Sequence, residues 1–138
     1  MVVQQEFLIS TSGRSTTNIT AQIQNLVAQS AIKVGTCHIF VQHTSASVML
    51  CENADPDVRR DLETYMQHLV PDGDPMFLHQ DEGPDDMSAH IRTILTNPDL
   101  MLPVTAGQCN LGTWQDIYLW EHRTHKFQRR VIITIQGE

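Results

Sequence analysis

Histidines, carboxylates and an amide recur in three separate segments of this chain, each time at the end of an element that carries apolar residues. In chain order, these side chains are His43, Glu52, His79, His90, Gln115 and Glu121. An ionisable group that is buried costs several kcal/mol unless it is paired, hydrogen-bonded or bound to a metal. Several such groups in one small chain therefore predict a shared polar pocket.

The first pair of candidates lies at the ends of two predicted strands. His43 is in phase with Ile39 and Val41, so its ring is expected on the packed face. Glu52 is in phase with Val48 in the same way. If the two strands pair, both groups reach one pocket. The alternatives are a hydrogen-bonded core histidine and a carboxylate that caps a helix or lies on the surface, and both stay open.

The histidines also fit a metal site. Three imidazoles from separate segments, those of His43, His79 and His90, match a catalytic metal centre that keeps a fourth position open. Asp86 lies four residues before His90, hence on the same helical face. Its carboxylate either orients the imidazole from behind or forms a plain ion pair that raises the pKa of the histidine. The sequence leaves both readings open.

The third segment reads as a strand with large apolar side chains on both faces. One face carries Gln115 and Glu121 beside Ile117 and Leu119. The opposite face carries Trp114, Asp116, Tyr118 and Trp120. Because both faces are apolar, we expect the strand to be covered on both sides, with another subunit as a candidate for one of the two covers.

The elements around these segments follow the order strand, helix, two strands, two helices and at least three further strands. This order predicts an α+β fold with a mixed or antiparallel sheet. With 138 residues the chain is expected to form a single domain over residues 1–138, because two cores would leave too little for either.

Capping signals predict where the helices begin. Asn18 is expected to cap the first helix, and Asp55 with Pro56 begins the second. The helical spacing of apolar residues predicts the packed faces. In the second helix these residues are Val58, Leu62, Tyr65, Met66 and Leu69, and in the third they are Met87, Ile91, Ile94 and Leu95. The loop between these helices, Pro71 to Pro84, is long enough that a function is expected of it.

Composition limits the classes of partner. A net charge of −7 argues against binding to nucleic acid, and no apolar stretch approaches the roughly 20 residues that span a membrane. Three cysteines without an export signal indicate reduced thiols in the cytoplasm. A basic run from Arg123 to Arg130 is either a solvated turn or a patch for a phosphorylated ligand.

Taken together, the motifs resemble the YjbQ family, whose members are described as secondary thiamine-phosphate synthases. The matching segments are His43-Thr44-Ser45, Glu52-Asn53-Ala54-Asp55, His79, Ala89-His90, Leu111-Gly112-Thr113-Trp114-Gln115 and Glu121. The resemblance implies a small α+β subunit that forms a homotrimer, with its sheets packed around the threefold axis. It also implies a pocket between subunits that binds a small phosphorylated substrate and a divalent metal.

The activity that the resemblance implies joins a pyrimidine methyl diphosphate to a thiazole phosphate and releases pyrophosphate. The expected roles are metal ligation by His43, His79 and His90, catalysis by Glu52, Gln115 and Glu121, and substrate binding by Thr44, Asp86 and Arg129. Three imidazoles suit zinc, whereas pyrophosphate chemistry usually recruits magnesium through carboxylates, so the metal stays open between the two. The alternatives are a metal-dependent phosphate-ester hydrolase and a trimer that binds a metabolite without catalysis.

Overall fold

The computed structural model describes residues 1–138 and contains eight strands and three helices. The elements are β1 (Val2–Ser12), β2 (Ser15–Asn18), α1 (Thr20–Ser30), β3 (Val34–Val41), β4 (Ala46–Glu52), α2 (Pro56–Leu69), α3 (Asp86–Leu95), β5 (Asp99–Thr105), β6 (Gln108–Cys109), β7 (Gln115–Glu121) and β8 (Lys126–Gly137). None of the helices has the length and apolar character needed to cross a membrane.

The strands form two antiparallel sheets. The larger has five strands in the order β1-β8-β3-β5-β6, and the smaller has three in the order β2-β7-β4. The α+β prediction is confirmed, although the short strands β2 and β6 were not foreseen. The idea that the strands ending near His43 and Glu52 pair with each other is wrong, because β3 belongs to the larger sheet and β4 to the smaller.

The main core fills the space between the two sheets and α1. The inward residues of β3 are Cys37, Ile39 and Val41, as the alternation of the sequence predicts. Ile117 and Leu119 of β7 face the same core. β7 is the central strand of the smaller sheet, because it pairs with β2 on one side and with β4 on the other.

The opposite face of β7 packs against α2. Tyr118 and Trp120 form a second apolar cluster with Met49 of β4 and Met66 of α2. The prediction that this strand is covered on both sides is therefore confirmed, and the cover on the second side is a helix of the same chain. Trp114, which precedes the strand, is 62% exposed.

The helix starts agree with the capping signals to within one residue. The Asp55 side chain accepts a hydrogen bond from the Asp57 backbone N–H at 2.9 Å, and Pro56 is the first helical residue, as predicted. Ile19 is the cap residue of α1, one position later than predicted. Asn18 nevertheless contributes, since its side-chain oxygen accepts from the Thr20 N–H at 3.0 Å.

The predicted packed face of α3 is wrong, and that of α2 is right only in part. Ile94 is 81% exposed, Leu95 is exposed, and the buried face of α3 is the polar one. Its buried residues are Asp86, Ser88, Ala89, Arg92 and Thr93. The physical reason is that Arg92 meets the carboxylate of Glu63 on α2 at 2.7 Å, so ionic partners turn the polar side of α3 inward. In α2, Tyr65 and Leu69 are exposed, while Met66 is buried.

Replacing Ala31 by glycine is expected to stabilise the protein. Ala31 ends α1 in the left-handed conformation, with φ of 62°, where an L side chain costs about 1 kcal/mol. The control is Ala28→Gly inside the same helix, which is expected to destabilise by about 1 kcal/mol. Urea unfolding would measure both changes, and a loss of stability in Ala31→Gly would contradict the prediction.

Candidate metal centre

Three side chains converge at the start of α3. His79 Nε2 lies 2.7 Å from Asp86 Oδ2, and His90 Nε2 lies 3.2 Å from the same oxygen. The three candidate ligand atoms all lie within 4.8 Å of one another. Two imidazole nitrogens aimed at one carboxylate oxygen are an arrangement that a cation stabilises, because each group then directs a lone pair at the ion.

The local sequence explains how these residues meet. Asp86 and His90 lie one helical turn apart on α3. His79 lies in the preceding loop, which is anchored at its beginning by a double ion pair between Asp72 and Arg14, at 2.6 and 2.7 Å. The loop is also closed on itself, since the Gly73 N–H donates to the carbonyl of Pro84 at 2.9 Å.

The donor set fits a transition metal better than magnesium. Ligand atoms bound at about 2.0–2.2 Å to tetrahedral zinc lie about 3.4 Å from one another. The His90–Asp86 separation of 3.2 Å is close to this value, and the His79–Asp86 separation of 2.7 Å is shorter, so binding of a metal requires the His79 and Asp86 side chains to move slightly apart. Two imidazoles and one carboxylate suit zinc and related metals, whereas magnesium selects oxygen ligands.

A buried arginine holds the carboxylate of this cluster from behind. Arg123 Nη1 donates to Asp86 Oδ1 at 2.8 Å, and Arg123 Nε donates to Asp85 Oδ2 at 2.9 Å. Neither Arg123 nor Asp85 was predicted as a site residue from the sequence. The adjacent pair Asp85-Asp86 at a helix start, in a chain whose basic residues cluster near Arg123, was the available signal.

Hydrogen bonds and neighbouring positive charges keep both carboxylates ionised. Burial alone would raise the pKa of Asp85, but hydrogen bonds from Arg123 and from Thr124 lower it to about 2. Burial likewise opposes the charge of Asp86, yet the hydrogen bond with His79 and the charges of His90 and Arg123 lower the pKa of Asp86. Asp86 is therefore a negatively charged candidate metal ligand at neutral pH. This role differs from the substrate-binding role expected from the resemblance.

His43 lies outside this cluster. Its Nε2 accepts a hydrogen bond from the Arg130 backbone N–H at 2.7 Å, so that nitrogen is engaged within the protein. Burial and the positive charges of Arg129 and Arg130 lower the pKa of His43, and the negative charge of Glu121 offsets this only in part. The structure thus brings two of the three predicted histidine ligands together and supplies Asp86 in place of the third.

Two cavities flank the cluster. One of about 280 Å³ lies against His79 and is bordered by Phe77, Gly83 and Pro84. The other, of about 360 Å³, lies between His90 and His43 and includes Thr44, which was predicted to bind substrate. A ligand in either cavity would lie next to one of the imidazoles of the cluster.

Glu121 and Arg129 bind each other inside the protein. Arg129 Nε and Nη2 donate to the two Glu121 carboxylate oxygens at 2.7 and 2.5 Å, and Glu121 is fully buried. Arg129 also donates to the Ser45 hydroxyl at 2.9 Å. Both side chains are therefore paired within the protein, and the catalytic role expected of Glu121 and the substrate-binding role expected of Arg129 stay predictions.

Glu52 and Gln115 lie at the other end of the smaller sheet. They pair with each other on β4 and β7. The opposite end of the same strand pair is formed by Ala46 and Glu121, six residues away along β4, which is roughly 20 Å at about 3.3 Å per residue. Glu52 accepts from the Asp55 N–H at 2.9 Å, and the Gln115 side chain accepts from the Gly112 N–H at 2.8 Å. Neither group belongs to the set of side chains that converge at His79, Asp86 and His90.

A buried polar layer separates α3 from the smaller sheet. His122 is fully buried and its Nε2 lies 2.8 Å from the Ser47 hydroxyl, while its Nδ1 has no hydrogen-bond partner. Burial, followed by the positive charges of Arg92, Arg14 and Arg129, lowers the pKa of His122 to about 3. The ring is therefore neutral in the folded protein.

This histidine is expected to make stability depend on pH. Between pH 3 and 6.5 the unfolded chain binds a proton at His122 that the folded chain does not, so acid favours unfolding. From pH 6.5 to 5 the loss is about 2 kcal/mol. Urea unfolding should show a shallower pH slope for His122→Gln than for the parent protein. Imidazole resonances of His122 that titrate near pH 6.5 in the folded protein would contradict this.

Comparisons with known proteins agree over nearly the whole chain. Residues 5–138 match the family model described as UPF0047 protein YjbQ-like. A UPF0047 protein of Synechocystis is 46% identical over 135 residues, covering 98% of this chain and 92% of the relative. The UPF0047 protein YjbQ of Escherichia coli O157:H7 is 42% identical over 139 residues, covering 100% of both chains.

Solved structures show the same fold. An uncharacterized conserved protein of the YjbQ/UPF0047 family from Clostridium acetobutylicum superposes with a TM-score of 0.86 at 30% identity, over 96% of this chain and 99% of that one. A protein of unknown function from Sulfolobus solfataricus gives a TM-score of 0.86 at 26% identity, over 100% of both chains. The resemblance seen in the sequence motifs is confirmed: the chain belongs to the YjbQ-like UPF0047 family.

Proposed function

We propose that this protein is a divalent-metal-dependent enzyme that acts on small phosphorylated substrates. The specific reaction that we propose is that of a thiamine-phosphate synthase, in which a pyrimidine methyl diphosphate is joined to a thiazole phosphate and pyrophosphate is released. The observation that carries the proposal is the convergence of His79, Asp86 and His90.

The residues of the chain would position and tune a metal, zinc being the ion that suits them best. The bound ion would act as a Lewis acid that neutralises negative charge on the departing phosphate oxygens. The side chains of His79 and His90 are 44% and 30% exposed, so substrate can approach from the solvent side. Arg123 holds Asp86 in its charged form and in a fixed orientation on the protein side.

The two cavities support a reaction that joins two molecules. One lies against His79 and the other against His90, so two small substrates bound there would flank the metal from different sides. Holding both reactants close together converts a bimolecular step into one between oriented neighbours. Two cavities beside one metal would suit a transferase, which needs room for two substrates.

Hydrolysis of a phosphate ester is the second candidate. Three protein ligands with open coordination positions are also the design of hydrolytic metal sites. In addition, Arg123 and Arg129 are neutralised by internal carboxylates, which leaves few free cations to bind a diphosphate. A non-catalytic protein that binds a metabolite is the remaining alternative.

We further propose that the subunits form a homotrimer through the larger sheet. The outer face of this sheet exposes Leu8, Phe40 and Met101, of which Met101 is 61% exposed. Large exposed apolar side chains on one face of a sheet are a feature of many contacts between subunits. In such a trimer, Glu52 and Gln115 of a neighbouring subunit would be available to complete the pocket that the resemblance implies. Light scattering that returns a monomer mass at micromolar concentration would refute this assembly.

Metal analysis and paired assays test the proposed function. Zinc-loaded protein is expected to bind about one equivalent of metal and to release pyrophosphate only when both substrates are present. The three free cysteines support the predicted cytoplasmic location, so the assays are run under reducing conditions. Turnover of a single phosphate ester without the second substrate would favour the hydrolase.

The variant His90→Ala and a matched control complete the design. His90→Ala is expected to lose both metal and activity, whereas His68→Ala, on the exposed surface of α2, is expected to keep both. Equal rates in the parent protein and His90→Ala would contradict a metal-dependent enzyme. Metal binding without turnover of any phosphorylated substrate would favour the binding protein.

A further inference from the structure

The loop of residues 71–84 folds largely on itself. Its ends meet where the Gly73 N–H donates to the carbonyl of Pro84 at 2.9 Å. Inside the loop, the Gln80 side chain donates to the carbonyl of Phe77 at 2.9 Å. A surface loop whose ends lie close together and whose contacts are mostly internal is typical of Ω-loops, which are frequently functional.

Few contacts hold the middle of this loop against the rest of the protein. Neither apolar cluster includes any of its residues, and Met76 and Leu78 are 75% and 99% exposed. Between residues 74 and 83, the hydrogen bonds to the rest of the chain are those of the His79 ring and of the Glu82 carbonyl. Because packing contributes so little, the position of His79 depends on how the ends of the loop are held.

One end of the loop is held by a clamp of three residues, Arg14, Asp72 and Ser88. Arg14 Nη1 and Nη2 donate to the two Asp72 carboxylate oxygens at 2.7 and 2.6 Å, and the Ser88 hydroxyl donates to Asp72 Oδ1. Arg14 Nε donates to the carbonyl of His122 at 2.9 Å. The guanidinium that binds Asp72 is therefore itself fixed to the body of the protein.

Ser88 connects this clamp to the helix that carries the other two candidate ligands. Ser88 is fully buried and lies two residues after Asp86 and two residues before His90 on α3. Its contact with Asp72 thus joins the beginning of the loop to a point within one helical turn of both ligands.

The clamp is charged and partly removed from water. Burial opposes the charge of Asp72, but hydrogen bonds from Arg14 and Ser88, together with the charge of Arg14, lower the pKa of Asp72. The side chains of Arg14 and Asp72 are 12% and 33% exposed. A bidentate pair between arginine and carboxylate is stronger and more directional than an ordinary surface ion pair. Such a pair is suited to fixing the geometry of a loop.

We infer that Arg14, Asp72 and Ser88 are positioning residues, which set the metal affinity of the cluster by holding the loop that carries His79. None of the three is a candidate ligand, so they act through His79. Ordering a loop costs conformational entropy, and a site that is ordered in advance avoids this cost when the metal binds. The inference rests on the proposed function, because it concerns the same metal centre.

Zinc titration of Asp72→Asn and Ser88→Ala tests this inference. Asp72→Asn breaks the bidentate pair, and we expect it to weaken zinc binding about tenfold, as changes to residues that orient a metal ligand do. Ser88→Ala removes only the hydroxyl contact and is expected to weaken zinc binding about threefold. The control is Asp57→Asn, which breaks a surface ion pair with Arg60 at 3.1 Å outside the loop and is expected to bind zinc like the parent protein. Competition with a chromogenic chelator gives the affinities.

Hydrogen exchange of the metal-free protein separates positioning from a general loss of stability. In Asp72→Asn the amides of residues 73–83 are expected to exchange faster than in the parent protein, while those of β3 are unchanged. The double variant Arg14→Gln with Asp72→Asn is expected to bind zinc no more weakly than the more affected single variant, since both changes break the same pair.

Equal zinc affinities in the parent protein, Asp72→Asn and Ser88→Ala would overturn the inference and leave the metal-dependent function intact. Exchange that increases equally in the loop and in β3 would also overturn it, because the clamp would then stabilise the whole fold. If the parent protein binds no zinc, the metal-dependent enzyme falls, and the exchange of the loop alone decides whether the clamp holds it.

Discussion

Replacing Asp86 by asparagine is expected to weaken zinc binding by at least about 100-fold and to abolish any metal-dependent activity. Asp86 is 2% exposed and is the single carboxylate that both His79 and His90 face. An amide offers a metal a weaker, uncharged oxygen, so the attraction between the anion and the cation disappears. Competition with a chromogenic chelator would measure the zinc affinity of the parent protein and the variant.

The fold is expected to survive this change. An asparagine keeps one side-chain oxygen that can accept from Arg123, and Asp85 still pairs with the same guanidinium at 2.9 Å. Circular dichroism of the two proteins checks this point. A matched control is Asp81→Asn, which removes one negative charge from an exposed position of the same loop. Equal zinc affinities for Asp86→Asn and Asp81→Asn would exclude this carboxylate as a ligand.

The parts of the fold that could be predicted from the sequence are those that depend on local patterns of residues. The alternation of Cys37, Ile39 and Val41 predicts the inner face of β3, and the structure confirms it. Asp55 followed by Pro56 predicts the start of α2 to the residue, because capping depends on neighbours in the chain. Such signals act over a few residues and need no knowledge of the rest of the molecule.

Local patterns do not show which strands that are distant in the sequence pair with each other. Periodicity shows that His43 and Glu52 end strands, but not that these strands belong to different sheets. The same limit applies to Arg123, whose partners Asp85 and Asp86 lie far away in the sequence. His90 and Asp86 were within reach of prediction because a helical turn joins them, and His79 was recognised as a candidate by its residue type alone.

The apolar residues of α3 show a further limit. Helical spacing correctly groups Ile91, Ile94 and Leu95, but it cannot say which face meets the protein. Burial of the opposite face follows from the ion pair between Arg92 and Glu63 and from the indole N–H of Trp120, which donates to Glu63 at 3.1 Å. An amphipathic helix can therefore turn its polar side inward where charged partners are already held in place.

Removing the charge of Glu121 is expected to have the largest effect on folding. Glu121→Gln leaves the guanidinium of Arg129, which is 3% exposed, without its anion. Breaking a buried ion pair in this way costs about 3–5 kcal/mol, because the remaining charge is desolvated and unpaired. Guanidinium unfolding at one fixed protein concentration would show the midpoint shift. Zinc should still bind to the folded fraction, since the proposed metal centre does not use this pair.

Two comparisons separate a structural role of this pair from a catalytic one. Glu6→Gln breaks the surface contact with Arg130, at 3.7 Å between half-exposed side chains, and is expected to cost below about 1 kcal/mol. The double variant Glu121→Leu with Arg129→Met removes both charges and should recover most of the lost stability. If that double variant folds and binds zinc but has no activity, Glu121 or Arg129 takes part in the chemistry, and the purely structural interpretation fails.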